Sequence, residues 1–255
     1  MDGILLIDKP KGWTSFDVVA KVRSMLRQSQ SPTAQQSNSQ GLGDKETKGL
    51  STHAPKVRVG HTGTLDPLAT GLLVLVVGSY TKRAQEFSKL DKTYKVTMKL
   101  GQTSTTGDAE GIIKDYPYST LSRKIGINVE EVESAIRSFV GEIEQVPPAF
   151  SAIKVGGQRA YKLAREGKEV KLEPRKVKIY EMTDVKYRYP EVKFTAKVSS
   201  GTYIRSLVED IGQKLGTGAY MTDLCRTEVG KFSLDGALEV KELSQQVISE
   251  HLILL

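Results

Sequence analysis

The chain has 255 residues, 37 Lys+Arg against 30 Asp+Glu, and a formal net charge of +7, so it can bury a sizeable core in one large domain or two small ones. Its 38% hydrophobic and 26% charged content is that of a soluble globular protein, and the modest basic excess admits phosphate contacts to RNA or DNA. A single cysteine, Cys225, excludes an intrachain disulfide and a structural zinc cluster, and three histidines with no H-x-E or C-x-x-C pairing exclude a zinc deaminase.

Taken in order, residues 4–7 read as a short buried strand, with an apolar core too short for a signal peptide and acidic flanks. A turn-rich segment, Asp8-Lys9-Pro10-Lys11-Gly12-Trp13-Thr14-Ser15, follows. Ser15 is placed to cap an amphipathic helix running to about Arg27. From 28 to 56 the chain is rich in Gln, Ser, Asn, Gly and Lys, with almost nothing apolar to bury; this predicts a flexible low-complexity insertion, with His53 an ordinary loop histidine. Residues 60–71 read Gly-His-Thr-Gly-Thr-Leu-Asp-Pro-Leu-Ala-Thr-Gly, and the apolar run 72–77 behind them predicts a strand buried on both faces.

That loop surrounds one carboxylate, Asp66, and one imidazole, His61, with three glycines and a proline. Pro67 biases Asp66 toward an extended backbone, and the glycines permit close approach to a ligand. The bland alternative is a tight turn in which Asp66 bonds its own backbone. The loop does not read GxxxxGK[ST], so it is not a nucleotide P-loop. Beyond it, 81–90 reads as a short helix and 93–100 as an alternating, half-buried strand beginning near Tyr94. Residues 101–111 read as a polar loop in which Asp108 is a turn former, and 129–140 as a helix with acidic residues in its first turn. Residues 147–168 interleave Lys154, Arg159, Lys162 and Arg165 with Tyr161, which suits either a sugar-phosphate surface or a solvated helix. Strands are expected over 176–181 and 192–199, and a helix opening after Gly-Thr-Tyr-Ile-Arg and running through 215. Arg205 is either a surface cation or a buried guanidinium paired with Asp66. Cys225 is expected to be a buried, inert thiol.

Gly-His-Thr-Gly-Thr-Leu-Asp-Pro-Leu-Ala-Thr-Gly-Leu-Leu closely resembles the catalytic-aspartate motif of the TruB family, the tRNA pseudouridine-55 synthases. Asp-Lys-Pro-x-Gly-x-Thr-Ser near the N-terminus, Lys92-Thr93-Tyr94, Pro-Pro-x-Phe-Ser-Ala-x-Lys from 147, Gly-Thr-Tyr-Ile-Arg from 201 and Leu224-Cys225-Arg226-Thr227 are similar to further family motifs, in order over most of residues 1–235. The long 28–56 segment departs from the family pattern. The resemblance implies an α+β pseudouridine synthase fold: a mixed, mostly antiparallel central sheet flanked by helices, with an RNA-gripping insertion at 147–168. It implies a catalytic domain over 1–235 and a short 236–255 tail too brief for a complete PUA-like domain. The implied reaction isomerises uridine to pseudouridine in the tRNA T-loop, with base flipping and without a cofactor or metal. Asp66, Arg205 and Tyr94 would be catalytic, with Arg205 lowering the Asp66 pKa. His61, Tyr94, Tyr203, Leu224 and Lys9 would bind the substrate nucleotide, Lys9 and Pro10 would pack against the catalytic loop, and Lys154, Arg159, Lys162 and Arg165 would bind the RNA backbone. The expected partner is the tRNA T-stem-loop, met by a cytoplasmic monomer with no membrane and no obligate protein partner. Two rival readings share the basic surface: a silent tRNA-binding or folding module, and a guide-RNA-dependent relative.

Overall fold

The computed structural model describes residues 1–28, 57–117 and 126–255. The 28–56 insertion expected to be flexible, with His53, therefore lies outside the described residues, Gln28 excepted. The elements are β1 (Gly3–Lys9), α1 (Ser15–Gln28), β2 (Val59–His61), β3 (Thr70–Val77), a 3₁₀ turn (Gly78–Arg83), α2 (Ala84–Ser88), β4 (Lys92–Leu100), β5 (Gln102–Ser104), β6 (Ile113–Asp115), α3 (Val129–Arg137) and β7 (Gly141–Gln145). They continue with β8 (Lys154–Val155), β9 (Gln158–Arg159), α4 (Ala160–Arg165), β10 (Arg175–Arg188), β11 (Glu191–Val198), α5 (Ile204–Leu215), β12 (Ala219–Val229), β13 (Phe232–Ser233), β14 (Leu238–Glu239) and α6 (Gln245–Glu250).

One ten-stranded sheet runs β14-β1-β3-β12-β4-β11-β10-β7, with β2 also on β3 and β13 on β12. Only β1–β14 and β3–β12 pair in parallel, so the sheet is mixed and mostly antiparallel, as expected. The apolar run in β3 is explained by cover on both faces. Leu73, Leu75 and Val77 pack with Leu5, Ile7 and the α1 residues Val18, Val19 and Val22, while Leu72, Val74 and Val76 pack with Ile4, Phe87, Val229 and Phe232. The other half of the sheet, from β4 to β10, packs against α3 and α5 through Met98, Phe194, Val132, Ile136, Leu207 and Ile211. The C-terminal segment lies on β1: β14 pairs with Ile7 and Asp8, and Ile253 bridges Ile4.

Five local readings change. Thr14 caps α1, not Ser15: the Asp17 carboxylate accepts from the Thr14 N–H and hydroxyl at 2.8 and 2.7 Å, and the Thr14 Oγ accepts from the Asp17 N–H at 3.1 Å. The expected 81–90 helix is a 3₁₀ turn followed by the short α2, and the 101–111 loop starts with β5, which forms a hairpin with β6. The 147–168 segment is a small hairpin, β8–β9, whose turn is Gly156-Gly157 with both φ angles positive, and then α4. Cys225 is half-buried rather than buried.

Strand β12 was not legible in the sequence, yet it joins the two halves of the sheet. Bulges between Met221 and Asp223 and between Arg226 and Glu228 break its two-residue period. Gly71 explains how closely β3 and β12 meet: its φ is +94°, and a Cβ there would lie 2.4 Å from the Arg226 carbonyl oxygen.

Candidate active site

The loop between β2 and β3 is fastened at almost every residue. The Thr62 N–H and hydroxyl donate to the Val74 carbonyl at 3.0 and 3.2 Å. Buried Arg226 on β12 donates from Nη2 to Gly63 O at 3.1 Å and from Nε to Leu72 O at 2.8 Å. Ser15, at the start of α1, clamps the Leu65 peptide from both ends: its Oγ accepts from the Leu65 N–H at 2.8 Å and donates to the Leu65 carbonyl at 3.1 Å. The Pro67 carbonyl accepts from the Gly12 N–H at 2.8 Å and lies 3.5 Å from Lys9 Nζ. The backbone around Asp66 is thus held by α1, the 8–15 turn and β12 together.

The Asp66 carboxylate does not turn back on its own backbone. Its Oδ2 lies 3.0 Å from Arg205 Nη2 in the first turn of α5. The guanidinium is almost fully buried and ties down three further points. Nη2 donates to Phe150 O at 3.0 Å, Nη1 donates to Thr106 O at 3.1 Å, and Nη1 lies 3.6 Å from Asp108 Oδ2. Asp108 is a turn former, accepting from Thr106 Oγ1 at 2.6 Å and the Glu110 N–H at 3.0 Å, and also a buried second carboxylate beside Arg205. Its side chain is 3% exposed against 37% for Asp66, so Asp66 is the carboxylate that faces the open side.

Burial raises the Asp66 pKa above the ordinary carboxylate value; Arg205 opposes this, Asp108 adds to it, and Lys9 opposes it. Arg205 therefore lowers the Asp66 pKa as expected, but desolvation outweighs it and the net direction is upward.

A cavity of about 330 Å³ opens onto Asp66. Tyr94 on β4, Leu224 on β12, Tyr203 at the head of α5 and Arg205 all line it. Tyr94 and Leu224 are neighbours because β4 and β12 pair in antiparallel register, Leu224 against Val96 and Arg226 against Tyr94. Tyr203 is held by Gln145, whose Oε1 accepts from the Tyr203 N–H at 2.8 Å while its Nε2 donates to the Tyr203 carbonyl at 3.0 Å. Lys92 also lines the cavity, donating to Ser88 O at 2.7 Å and Leu90 O at 2.5 Å, and burial first, then Arg226, lowers its pKa to about 8.

Two candidates stand elsewhere. Lys9 is fully buried and spends its donors on the Pro10, Trp13 and Pro67 carbonyls, with a pKa lowered to about 8, chiefly by burial. It packs against the loop from behind, one of the two roles the resemblance implies, and it does not line the cavity as a contact with the substrate nucleotide would require. His61 sits at the end of β2, outside the cavity lining; burial and then the Arg226 charge lower its pKa. Lys154, Arg159, Lys162 and Arg165 are exposed on the β8–β9 hairpin and α4, and none of the four pairs with a carboxylate among the described residues. The foot of this segment is not detached from the core: Ser151 and Ala160 are buried, and Phe150 receives Arg205.

Sequence reading did not single out Ser15, Gln145, Lys92 or Arg226 as site residues; it gave Asp108 its turn role but not its contact with Arg205. The available signal was a polar side chain inside a strand- or helix-like segment, and only the partner across the fold says what such a residue does.

The family model described as TruB family pseudouridylate synthase (N terminal domain) matches residues 50–204, and that of the tRNA pseudouridylate synthase B C-terminal domain matches residues 205–252. The tRNA pseudouridine synthase B of Phocaeicola vulgatus is 41% identical over 97% of this chain and 95% of its own. That of Aquifex aeolicus is 38% identical over 100% of this chain and 77% of its own. Among solved structures, a chain of a Cbf5-Nop10-Gar1 complex is 26% identical with a TM-score of 0.64; the match covers 94% of this chain and 53%, about half, of that one.

Proposed function

The chain belongs to the TruB family of pseudouridylate synthases and isomerises uridine to pseudouridine in tRNA; from this premise we propose that its target is the T-loop uridine at position 55 and that Asp66 is the carboxylate that drives the reaction. The observation that carries the reading is the Asp66–Arg205 pair at 3.0 Å, in a fastened loop beside a cavity lined by Tyr94, Tyr203 and Leu224.

In the isomerisation the N1–C1′ bond breaks, the uracil turns, and a C5–C1′ bond forms while the C5 proton is lost and N1 gains one. Oxidation state does not change, so the chain's own acids and bases suffice. Asp66 acts as the anion, and the planar Arg205 fork orients it while Asp108 and the Thr106 and Phe150 carbonyls fix the fork. The target base lies inside a folded loop and must leave its stack. Tyr94 gives it a stacking face, with Leu224 and Tyr203 closing the sides, and His61 beside the loop fills the position the base leaves. The exposed cations of 147–168 hold the stem phosphates. We assign residues 1–235 to the catalytic unit, with 236–255 packed along β1, and place the enzyme in the cytoplasm as a monomer. No helix among the described residues is long and apolar enough to cross a membrane. Relatives matched along most of their length are named as tRNA enzymes, which favours direct action on tRNA over the guided and silent alternatives.

The test is Asp66→Asn with an unmodified tRNA transcript. The amide keeps the shape and loses the charge, so pseudouridine formation at position 55 should be abolished while tRNA affinity stays close to wild type. Substantial turnover by this variant would remove Asp66 from the chemistry, and modification at a different uridine by the wild type would remove the T-loop assignment.

A further inference from the structure

The buried serine and threonine side chains are Ser15, Thr62, Ser151, Ser206 and Thr217. Four of them have hydroxyl partners: Ser15 with the Leu65 peptide, Thr62 with Val74 O, Ser206 with Val146 O at 2.8 Å and Thr217 with Gly212 O at 3.4 Å. Ser151 Oγ has none among the described residues, although the residue is only 4% exposed. Buried polar groups are nearly always satisfied, so an orphan hydroxyl calls for an explanation.

Its position supplies one. Ser151 lines the same cavity as Asp66, Tyr94 and Arg205. Its backbone is fixed, since its carbonyl accepts from the Tyr161 N–H at 3.0 Å. The preceding carbonyl, of Phe150, accepts at 3.0 Å from Arg205 Nη2, the same nitrogen that lies 3.0 Å from Asp66 Oδ2. Two short contacts and one peptide unit therefore separate the Ser151 residue from the Asp66 carboxylate. The side chain is on the RNA-facing insertion but at its buried foot, away from the exposed cations. A serine hydroxyl both donates and accepts, and rotation about χ1 breaks no hydrogen bond here because none is made.

We propose that Ser151 Oγ is a hydrogen-bond partner of the flipped uridine, one that is left unsatisfied until the nucleotide enters. It takes a polar group of the nucleoside itself, on the uracil edge or the ribose, and so distinguishes the bound nucleoside from an apolar or wrongly oriented one. This rests on the reading of the cavity as the uridine pocket.

Ser151→Ala supplies the test, measured in single turnover on a T-stem-loop RNA together with thermal unfolding of the free protein. A hydroxyl used only in the complex predicts a loss of roughly five- to tenfold in kcat/KM, with a Tm equal to or above wild type, because the variant buries no orphan group. A cycle with RNAs carrying 2′-deoxyuridine, 4-thiouridine or 3-methyluridine at the target then identifies the partner: with one of them, the losses from RNA and protein changes should fail to add. Unchanged turnover in Ser151→Ala overturns the proposal. A lowered Tm with equal losses on all four RNAs also overturns it, in favour of a packing role. If the wild type modifies a different uridine, the T-loop assignment fails, and the same cycle run on that uridine still decides the role of Ser151.

Discussion

At the scale of single residues, the site is a carboxylate whose geometry is decided by a guanidinium, and the guanidinium in turn by three further partners. Arg205 reaches Asp66, Asp108, Thr106 O and Phe150 O from one planar group. Lysine would keep the charge and lose the fork, since an ammonium is a point charge on a flexible stem. Arg205→Lys should therefore lower the single-turnover rate on the order of a hundredfold, the cost of removing one preorganised donor from a charged centre. It should leave tRNA affinity near wild type, because Arg205 is buried at 7% residue exposure and is not one of the exposed cations. Rates within a fewfold of wild type would show that Arg205 does not orient Asp66. Asp66 was legible as the candidate carboxylate because Gly, Pro and Thr around it leave few other uses for a charge. Asp108 was not, because an aspartate beside glycine in a polar loop has an ordinary turn role, and here it fills that role and abuts Arg205 as well.

At the scale of elements, the 147–168 segment divides into two parts with different physics. Its foot is packed into the wall of the cavity, while the β8–β9 hairpin and α4 carry Lys154, Arg159, Lys162 and Arg165 into solvent. Arg165 lies over the Tyr161 ring at 5.7 Å, and Arg159 Nη1 donates to Ala152 O at 2.8 Å, so two of the cations are oriented locally without being neutralised. Changing all four to Gln should weaken tRNA binding and flatten the dependence of log affinity on log salt by about 3 if each meets a phosphate. The melting temperature should hardly move, because exposed charges contribute little to folding. Affinities measured from low to high salt for both proteins check this. An unchanged slope would take the segment off the RNA surface, and a large drop in Tm would make it structural. Its basic, aromatic composition was readable in advance. Its hairpin was not, since strands of two residues are too short to show a period, and the Gly-Gly turn reads equally well as a hinge.

For the molecule as a whole, Glu209 shows how the fold sets a pH response behind the site. It lies on α5 one turn beyond Arg205, its carboxylate against Gly107, where an added Cβ would stand 3.0 Å from Oε1. Burial first, then Asp210 and Asp108 against the pull of Arg205, raise its pKa from 4.5 to about 7. Between these values the folded chain binds more protons than the unfolded one, so the group's stabilising effect is fully present below 4.5 and is lost as pH rises through about 7. Glu209→Gln should therefore lose less stability than the wild type between pH 5 and pH 8, by on the order of 2 kcal/mol, in urea unfolding at the two pH values. Equal losses would show that Glu209 titrates normally. Asp8, Asp66, Glu110 and Asp210 are raised in the same direction, so the variant should retain part of the slope. By itself the amino-acid sequence determined what is written in short range: the β3 run, the alternation of β4, the position of the α5 helix, and Asp66 in its loop of Gly, Pro and Thr. Periodicity and turn chemistry act over a few residues, and such features survive in any environment that buries the same face. The tertiary structure alone decided the rest. It placed the bulged β12 between β3 and β4, set Arg226 and Ser15 to hold the Asp66 loop, and brought Asp108 and Phe150 to the same guanidinium. These partners lie 50 or more residues from the loop along the chain for Ser15–Leu65 and 163 for Arg226–Gly63. A lone polar residue carries no local mark of what will meet it once the chain has closed.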